Sequence, residues 1–172
     1  MNEVIKTIMQ RRSCRSFSDK QPSKEIIQKI AEAGTWAPTG MGYQKPIIIA
    51  VTNKELRDKI SRMNASILGT NSDPFYGAPA MLIVLVEKWP NAVYDGTCVM
   101  QTLMLAATSL GVDTCWIHRA KEEFESEEGK EILRSLGIKG DYVGIGHVAL
   151  GYREKNIPEP KERKKDYIIW AD

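Results

Sequence analysis

The sequence predicts a layered α+β or α/β domain. Three observations carry the prediction. Apolar residues recur at i, i+3 and i+4 in several segments, apolar runs of strand length stand between them, and the two kinds of segment follow one another along the chain. A length of 172 residues with 42% hydrophobic content suits a single core that buries about 70% of the unfolded surface.

The opening MNEVIKTIMQ carries Val4, Ile5, Ile8 and Met9 on one helical stripe, with Asn2 placed to cap it. After the turn-like SDKQPS, Ser23 is placed to cap a second helix whose apolar side holds Ile26, Ile27, Ile30, Ala31 and Ala33. Pro38 disfavours helical geometry at Ala37, and Gly40 and Gly42 relax the backbone. A loop therefore runs from Ala37 to Gln44 before the strand IIIAV. Asn53 caps a short helix over KELRDKISRMN, and the loop GTNSDPFYGAP leads into the strand AMLIVLV.

From Asp95 to Leu110 the pattern is apolar nearly all round, which predicts a buried helix. Gly111 ends it as a C′ residue, and the short strand VDTCWI follows. A polar helix around EEGKEILRSLG then precedes the strand DYVGIGHVAL. The tail GYREKNIPEPKERKK is charged and proline-bearing, and ends in the strand-like patch DYIIW. Such a patch needs a sheet edge, either in its own chain or in another subunit.

Charge and motif content exclude several function classes. Lys and Arg number 24 against 22 Asp and Glu, a net charge of +2, so no global field draws nucleic acid or an anionic membrane. The apolar runs at 47–51 and 80–86 fall far short of the ~20 residues that span a bilayer. MNEVIKTIMQRR has its acid early, its basic residues late and no small-residue cleavage site, so a cytoplasmic protein is expected. Cys14, Cys98 and Cys115 are widely spaced without C-x-x-C, which suggests neither a disulfide framework nor a zinc site. With His118 and His147 as the only histidines and no HExxH, no metal is expected. Neither G-x-S-x-G nor a P-loop occurs. The reactive chemistry of an enzyme built on this chain is expected to come from a cofactor.

The stretch RRSCRSF at 11–17 concentrates three arginines. Two readings compete: Arg11 and Arg12 close the C-terminal turn of the first helix, or the arginines grip an anion bidentately. Gly144-Ile-Gly-His-Val-Ala149 matches the dinucleotide fingerprint in letters only. Its glycines fall inside a β-rich stretch without room for a following βαβ unit, so they mark a bulge or a close backbone contact. RRSCR, the loop APTGMGYQ and the basic tail PKERKK can converge on one phosphate-bearing ligand.

Together these pieces resemble the nitroreductase family of FMN-dependent oxidoreductases. R-R-S-x-R-x-F at 11–17 is similar to its phosphate- and flavin-binding motif, and APTGMGYQKP resembles its A-P-S-x-x-N-x-Q-P-W loop. LGVDTCWI resembles L-G-x-x-x-C-W-I, and PKERK its late K-x-R. The matches are in order and span residues 11 to 163. The resemblance implies an α+β fold with a central mixed β-sheet flanked by helices. It also implies one FMN-binding domain over 1–155 and a C-terminal arm over 156–172. The arm belongs to the same domain and extends onto the partner subunit of a homodimer.

By the same resemblance, Arg11 and Ser13 meet the FMN phosphate and ribityl chain, Arg12 is counted among the cofactor-binding residues, Arg15 lies near the pyrimidine edge, and Lys161 and Arg163 close on the phosphate. Pro38, Thr39 and Gly40 reach the same FMN from the other subunit, with Gln44 close by. Trp116, Ile117 and His118 lie along the flavin ring with backbone N–H near N5 and O4, and Asn71 supplies an amide to the ring. Gly42 stands where the family usually has asparagine. His118 and Arg119 replace a glycine or acidic residue beside the ring, a change that bears on substrate fit. The activity implied is transfer of electrons from NADH or NADPH to a small electron-poor acceptor, nitroaromatic or quinone, in a ping-pong cycle that requires no catalytic side chain. FMN is favoured over FAD because the chain supplies one phosphate clamp and no adenosine unit. Cys14 and Cys115 are read as packing residues. Two other classes compete: a flavin-binding member used for sensing, dehalogenation or ring oxidation, and a nucleic-acid module that places RRSCR and KERKK on phosphates.

Overall fold

The computed structural model describes residues 1–157 and 159–171; Pro158 and Asp172 of the expected arm lie outside the described residues. Among the described residues, Asn2, Ser23, Asn53 and Ser126 each satisfy a free N–H group in the first turn of a helix. Asn2 Oδ1 accepts from Val4 N at 2.8 Å to open α1 (Glu3–Gln10). Ser23 Oγ accepts from Ile26 N at 3.3 Å to open α2 (Lys24–Gly34), and Asn53 Oδ1 accepts from Leu56 N at 2.9 Å to open α3 (Lys54–Leu68). α3 runs a turn further than KELRDKISRMN, up to Gly69, whose φ of 74° ends it.

Four strands, β1 (Pro46–Val51), β2 (Ala80–Glu87), β3 (Asp113–Ile117) and β4 (Tyr142–Gly151), form a sheet in the order β1-β2-β4-β3. Every neighbouring pair is antiparallel. Among the described residues, the expected mixed character is confined to one parallel bridge, Ser13 with Thr114, on the outer edge of β3. The apolar run of β2 is buried on both faces, as a central strand must be. Met81, Ile83 and Leu85 join one core with residues of α3 and with Phe75, Phe124 and Leu133. Leu82 and Val84 join a second core with Ile27 and Ile30 of α2 and Val99, Met100 and Leu103 of α4 (Ala92–Ser109).

α4 departs from the all-round burial expected of it. Val99, Met100, Leu103 and Ala107 are buried, but Thr97, Cys98 and Gln101 within the expected span are exposed, and so are Val93 and Tyr94 in the turn before it, so one strip of this helix is uncovered. Gly111, with φ 72°, takes the left-handed position after it. Between β3 and β4 the chain forms α5 (Ala120–Glu125) and α6 (Glu127–Ser135). The latter is the expected polar helix; α5 is too short for any periodicity to announce it.

The two glycines of GIGHVA do what a β-rich setting requires. The β2–β4 register shifts so that Val84 faces Gly146 and Leu85 faces Gly144, leaving Ile145 as the bulged residue. A Cβ on Gly144 would lie 2.2 Å from the backbone of Ala120. After β4, Arg153 pairs with Asp113 at 2.6 Å and the chain crosses Phe17. DYIIW pairs with no strand of its own chain among the described residues. Lys165–Tyr167 is a 3-10 turn, and Tyr167, Ile168, Ile169 and Trp170 are exposed.

Candidate functional site

β3 is an edge strand, and its outer side carries only the Ser13–Thr114 bridge among the described residues. α1 ends at Gln10, and the RRSCR segment then runs extended alongside β3, with Cys14 N donating to Thr114 O at 2.8 Å. Extended geometry separates the arginines that a continued helix would have stacked four apart. It also lays Arg11, Ser13 and Arg15 beside Cys115, whose thiol they pull down while burial pushes it up and wins. The Cys14 thiol is likewise raised by burial, so neither is a ready thiolate.

Past Thr114 the outer edge of β3, without a strand partner among the described residues, continues through Trp116 and Ile117 to His118. A cavity of about 350 Å³ opens there, lined by Trp116, Ile117, His118, Arg15 and Arg119, with Leu68 and Tyr76 across from them. Lys161 and Arg163 lie with Ile8, Met9 and Arg12 around a second groove of about 790 Å³ between α1 and the arm. Arg12 satisfies the helix-end reading: its Nη1 donates to Met9 O at 2.6 Å and Arg11 O at 2.8 Å, closing the last turn of α1. Among the described residues, none of Arg11, Arg12, Arg15, Arg119, Lys161 and Arg163 forms an ion pair with a carboxylate. A strand edge bordered by guanidinium groups without carboxylate partners, with Lys161 and Arg163 in the separate groove that Arg12 lines, offers donors of the kind a phosphate-bearing planar ligand takes.

The other expected residues lie elsewhere. Pro38, Thr39, Gly40 and Gln44 precede β1, at the opposite edge of the sheet from β3; two strands intervene, so the edges are about 14 Å apart. Within one chain the structure does not bring them to the Trp116–His118 cavity. Their loop is nevertheless stiffly built. Gly40 N donates to the buried Asp95 Oδ1 at 2.8 Å, a Cβ there would meet the Trp89 ring at 2.4 Å, and Gln44 N donates to Thr39 Oγ1 at 3.1 Å. Asn71 lines a shallow depression with Arg57 and Arg62, beside the cavity that Ser72 and Asp73 share with it.

Sequence reasoning missed the groups beneath the cavity. Asn64 Nδ2 donates to His118 O at 2.8 Å and to Glu123 Oε1 at 2.5 Å, and Asn64 Oδ1 accepts from Arg119 Nε at 2.8 Å. Glu123 Oε2 lies 2.7 Å from His147 Nε2, and neither side chain has any exposed surface. No spacing signal joins these residues, which come from α3, α5 and β4. Among the described residues no cluster of potential metal ligands occurs, and no helix is long and apolar enough to cross a membrane.

The family model described as Nitroreductase family matches residues 8–72 and 66–152. A protein of Archaeoglobus fulgidus, assigned by name as an NADH dehydrogenase/NAD(P)H nitroreductase, is 31% identical over 97% of this chain and 91% of its own length. A crystal structure of a nitroreductase with bound FMN from Bacteroides fragilis is similar with a TM-score of 0.91 at 31% identity, covering 100% of both chains. A nitroreductase with bound FMN from Desulfitobacterium hafniense gives 0.89 at 34% identity, again over 100% of both.

Proposed function

The chain belongs to the nitroreductase family, and from that premise we propose that it is an FMN-dependent oxidoreductase, passing electrons from NAD(P)H to a small electron-poor acceptor such as a nitroaromatic or quinone. The observation that carries this reading is the free edge of β3, bordered by Arg11, Ser13 and Arg15 and ending at the Trp116–His118 cavity.

The chemistry that bound FMN supplies is two-electron transfer, with hydride taken from the nicotinamide and electrons returned to the acceptor in alternation. The chain's own residues hold and tune that group. Arg11 and Ser13, with Lys161 and Arg163 from the tail, are the phosphate clamp; Arg12 borders it while capping α1. Arg15 is the fixed positive charge for the pyrimidine edge, where a guanidinium favours an electron-rich ring. Backbone N–H groups of the β3 edge, from Trp116 to His118, orient the ring. Asn71 is assigned to the ring as well, reached by the 70–77 loop from the neighbouring depression. Pro38, Thr39, Gly40 and Gln44, about 14 Å away across the sheet, contribute from a second subunit in a homodimer, whose C-terminal arms cross between protomers.

The deciding experiment is the visible spectrum of the purified protein with identification of what heat releases. Oxidised-flavin bands, FMN in the supernatant at about one per chain and bleaching by NADH or NADPH are the expected results. A colourless protein that cannot be reconstituted with FMN sinks the reading. One that holds FMN but is not bleached by either nucleotide retains the cofactor and excludes the donor.

A further inference from the structure

We propose that Arg119 selects electron acceptors that carry an anionic group on a flat ring; this substrate class rests on the reductase reading of the cavity. Arg119 sits at φ 79°, a left-handed conformation that side-chain-bearing residues avoid; Met41, Gln44 and Tyr76 share it in this chain, and Gly42, Gly69 and Gly111 take it elsewhere. The arginine gains no local structure in exchange, because it offers no side-chain cap to α5, which it precedes.

Its geometry is nevertheless tightly held. Asn64, wholly buried, accepts from Arg119 Nε at 2.8 Å while donating to the preceding carbonyl, His118 O, at 2.8 Å. Asn64 is fixed in turn by Glu123, and Glu123 lies against His147 between the rings of Phe75 and Phe124. This framework grips the guanidinium through Nε and leaves Nη1 and Nη2 without a protein partner among the described residues, on the wall of the 350 Å³ cavity.

The charge count at that wall favours an anion. Asp73, the cavity's carboxylate, is already engaged by Arg57, Ser61 and two backbone N–H groups. Glu123 is only 1% exposed and cannot reach the cavity. Arg15 is committed to the flavin in the proposed function, so Arg119 is the cation left over. Leu68, Tyr76 and Trp116 give the remaining wall apolar and aromatic surface suited to a ring. Arg119 lines the same cavity one residue beyond His118, so with the flavin ring held by Arg15 and Trp116–His118 its free Nη groups would border the face that an acceptor ring approaches.

The test uses FMN-loaded protein and two acceptors with the same nitro group and ring, 4-nitrobenzoate and methyl 4-nitrobenzoate. Arg119→Gln is the informative variant, because the glutamine Nε2 falls where Arg119 Nε stands and can still donate to Asn64, while the charged fork is lost. The ratio of kcat/KM for acid over ester is expected to fall about tenfold or more in Arg119→Gln, as loss of a charge-assisted hydrogen bond predicts, and to be partly kept in Arg119→Lys. Benzoate, which cannot be reduced, is expected to bind about tenfold more weakly to Arg119→Gln by calorimetry, with benzamide unchanged. Equal acid-to-ester ratios and equal benzoate affinities in the two proteins overturn the proposal. So does a rise in KM for NADH or NADPH with the acceptor ratio unmoved, which assigns the cation to the donor's phosphates. If neither acceptor turns over but benzoate still binds through Arg119, the reductase reading fails and the anion site stands.

Discussion

Asp73 organises the loop between α3 and β2 through four hydrogen bonds to one carboxylate. Its Oδ1 accepts from Ser61 Oγ at 2.7 Å and Phe75 N at 2.9 Å; its Oδ2 accepts from Gly77 N at 2.8 Å and from Arg57. Burial works to raise its pKa, but Arg57, Ser61 and the two N–H groups outweigh burial and hold it below the ordinary aspartate value. A depressed folded pKa means that the folded state binds its proton less readily than the unfolded state. The stabilisation is therefore complete above the unfolded pKa, about 4, and is lost as pH falls through the lower folded pKa. Asp73→Asn is expected to cost about 2 kcal/mol at neutral pH, since Asp58 still pairs with Arg57. It is also expected to flatten the acid limb of urea-midpoint against pH; wild type and variant with parallel acid limbs would show that Asp73 is not the group responsible. The sequence marked this segment as the loop GTNSDPFYGAP, from its Gly, Asn, Ser, Asp and Pro content, without singling out Asp73. The Asn64–Glu123–His147 framework was not legible, because only the packing of α3, α5 and β4 brings its members together.

α5 and β4 meet more closely than side chains allow, and Gly144 is the reason. An added Cβ would stand 2.2 Å from Ala120 C and O, backbone atoms that cannot swing aside. At Gly146 the nearest atoms are Met100 Cε and Trp116 Nε1, both 2.9 Å away, and the first is the end of a flexible chain. Gly144→Ala is accordingly expected to cost about 3 kcal/mol and Gly146→Ala about 1 kcal/mol in denaturant melts. The order is the check, and a more damaging Gly146→Ala would remove the close α5–β4 approach as the cause. Elements whose boundaries rest on neighbouring residues were legible: Asn2, Ser23 and Asn53 cap three helices where the sequence places them, and Gly111 ends α4. α5 was not, since AKEEFE is six residues without a side-chain cap and owes its helix to packing on β4. The order β1-β2-β4-β3 was equally hidden, because pairing between distant strands leaves no mark on short-range pattern.

At the scale of the whole molecule, one chain leaves too much apolar surface uncovered. No residue of α1 is buried, and Val4, Ile5, Ile8 and Met9 are 49 to 65% exposed, although they form the apolar stripe of an amphipathic helix. Tyr167, Ile168, Ile169 and Trp170 are 71 to 87% exposed at the end of the arm, and the strip of α4 at Val93 and Tyr94 is open as well. Contiguous apolar surface of this kind marks an interface. The assigned FMN contacts are divided in the same way, with Arg11 to Arg15 at the β3 edge and Pro38 to Gln44 at the β1 edge. The proposed two-fold dimer would account for both facts, because in an isologous interface a contact between the β3 edge of one protomer and the β1-edge loop of its partner would occur twice. Sedimentation is therefore expected to give twice the 19.4 kDa chain mass. Removing the residues from Asp166 onward deletes the exposed apolar end and leaves Lys161 and Arg163 in place. If the arm is the strap between protomers, this truncation shifts the chain toward monomer and releases FMN in the same concentration range. A truncated monomer that still holds FMN at one per chain would falsify the shared site. A truncated protein that stays dimeric and loaded would place the strap in α1 and α4 instead of the arm.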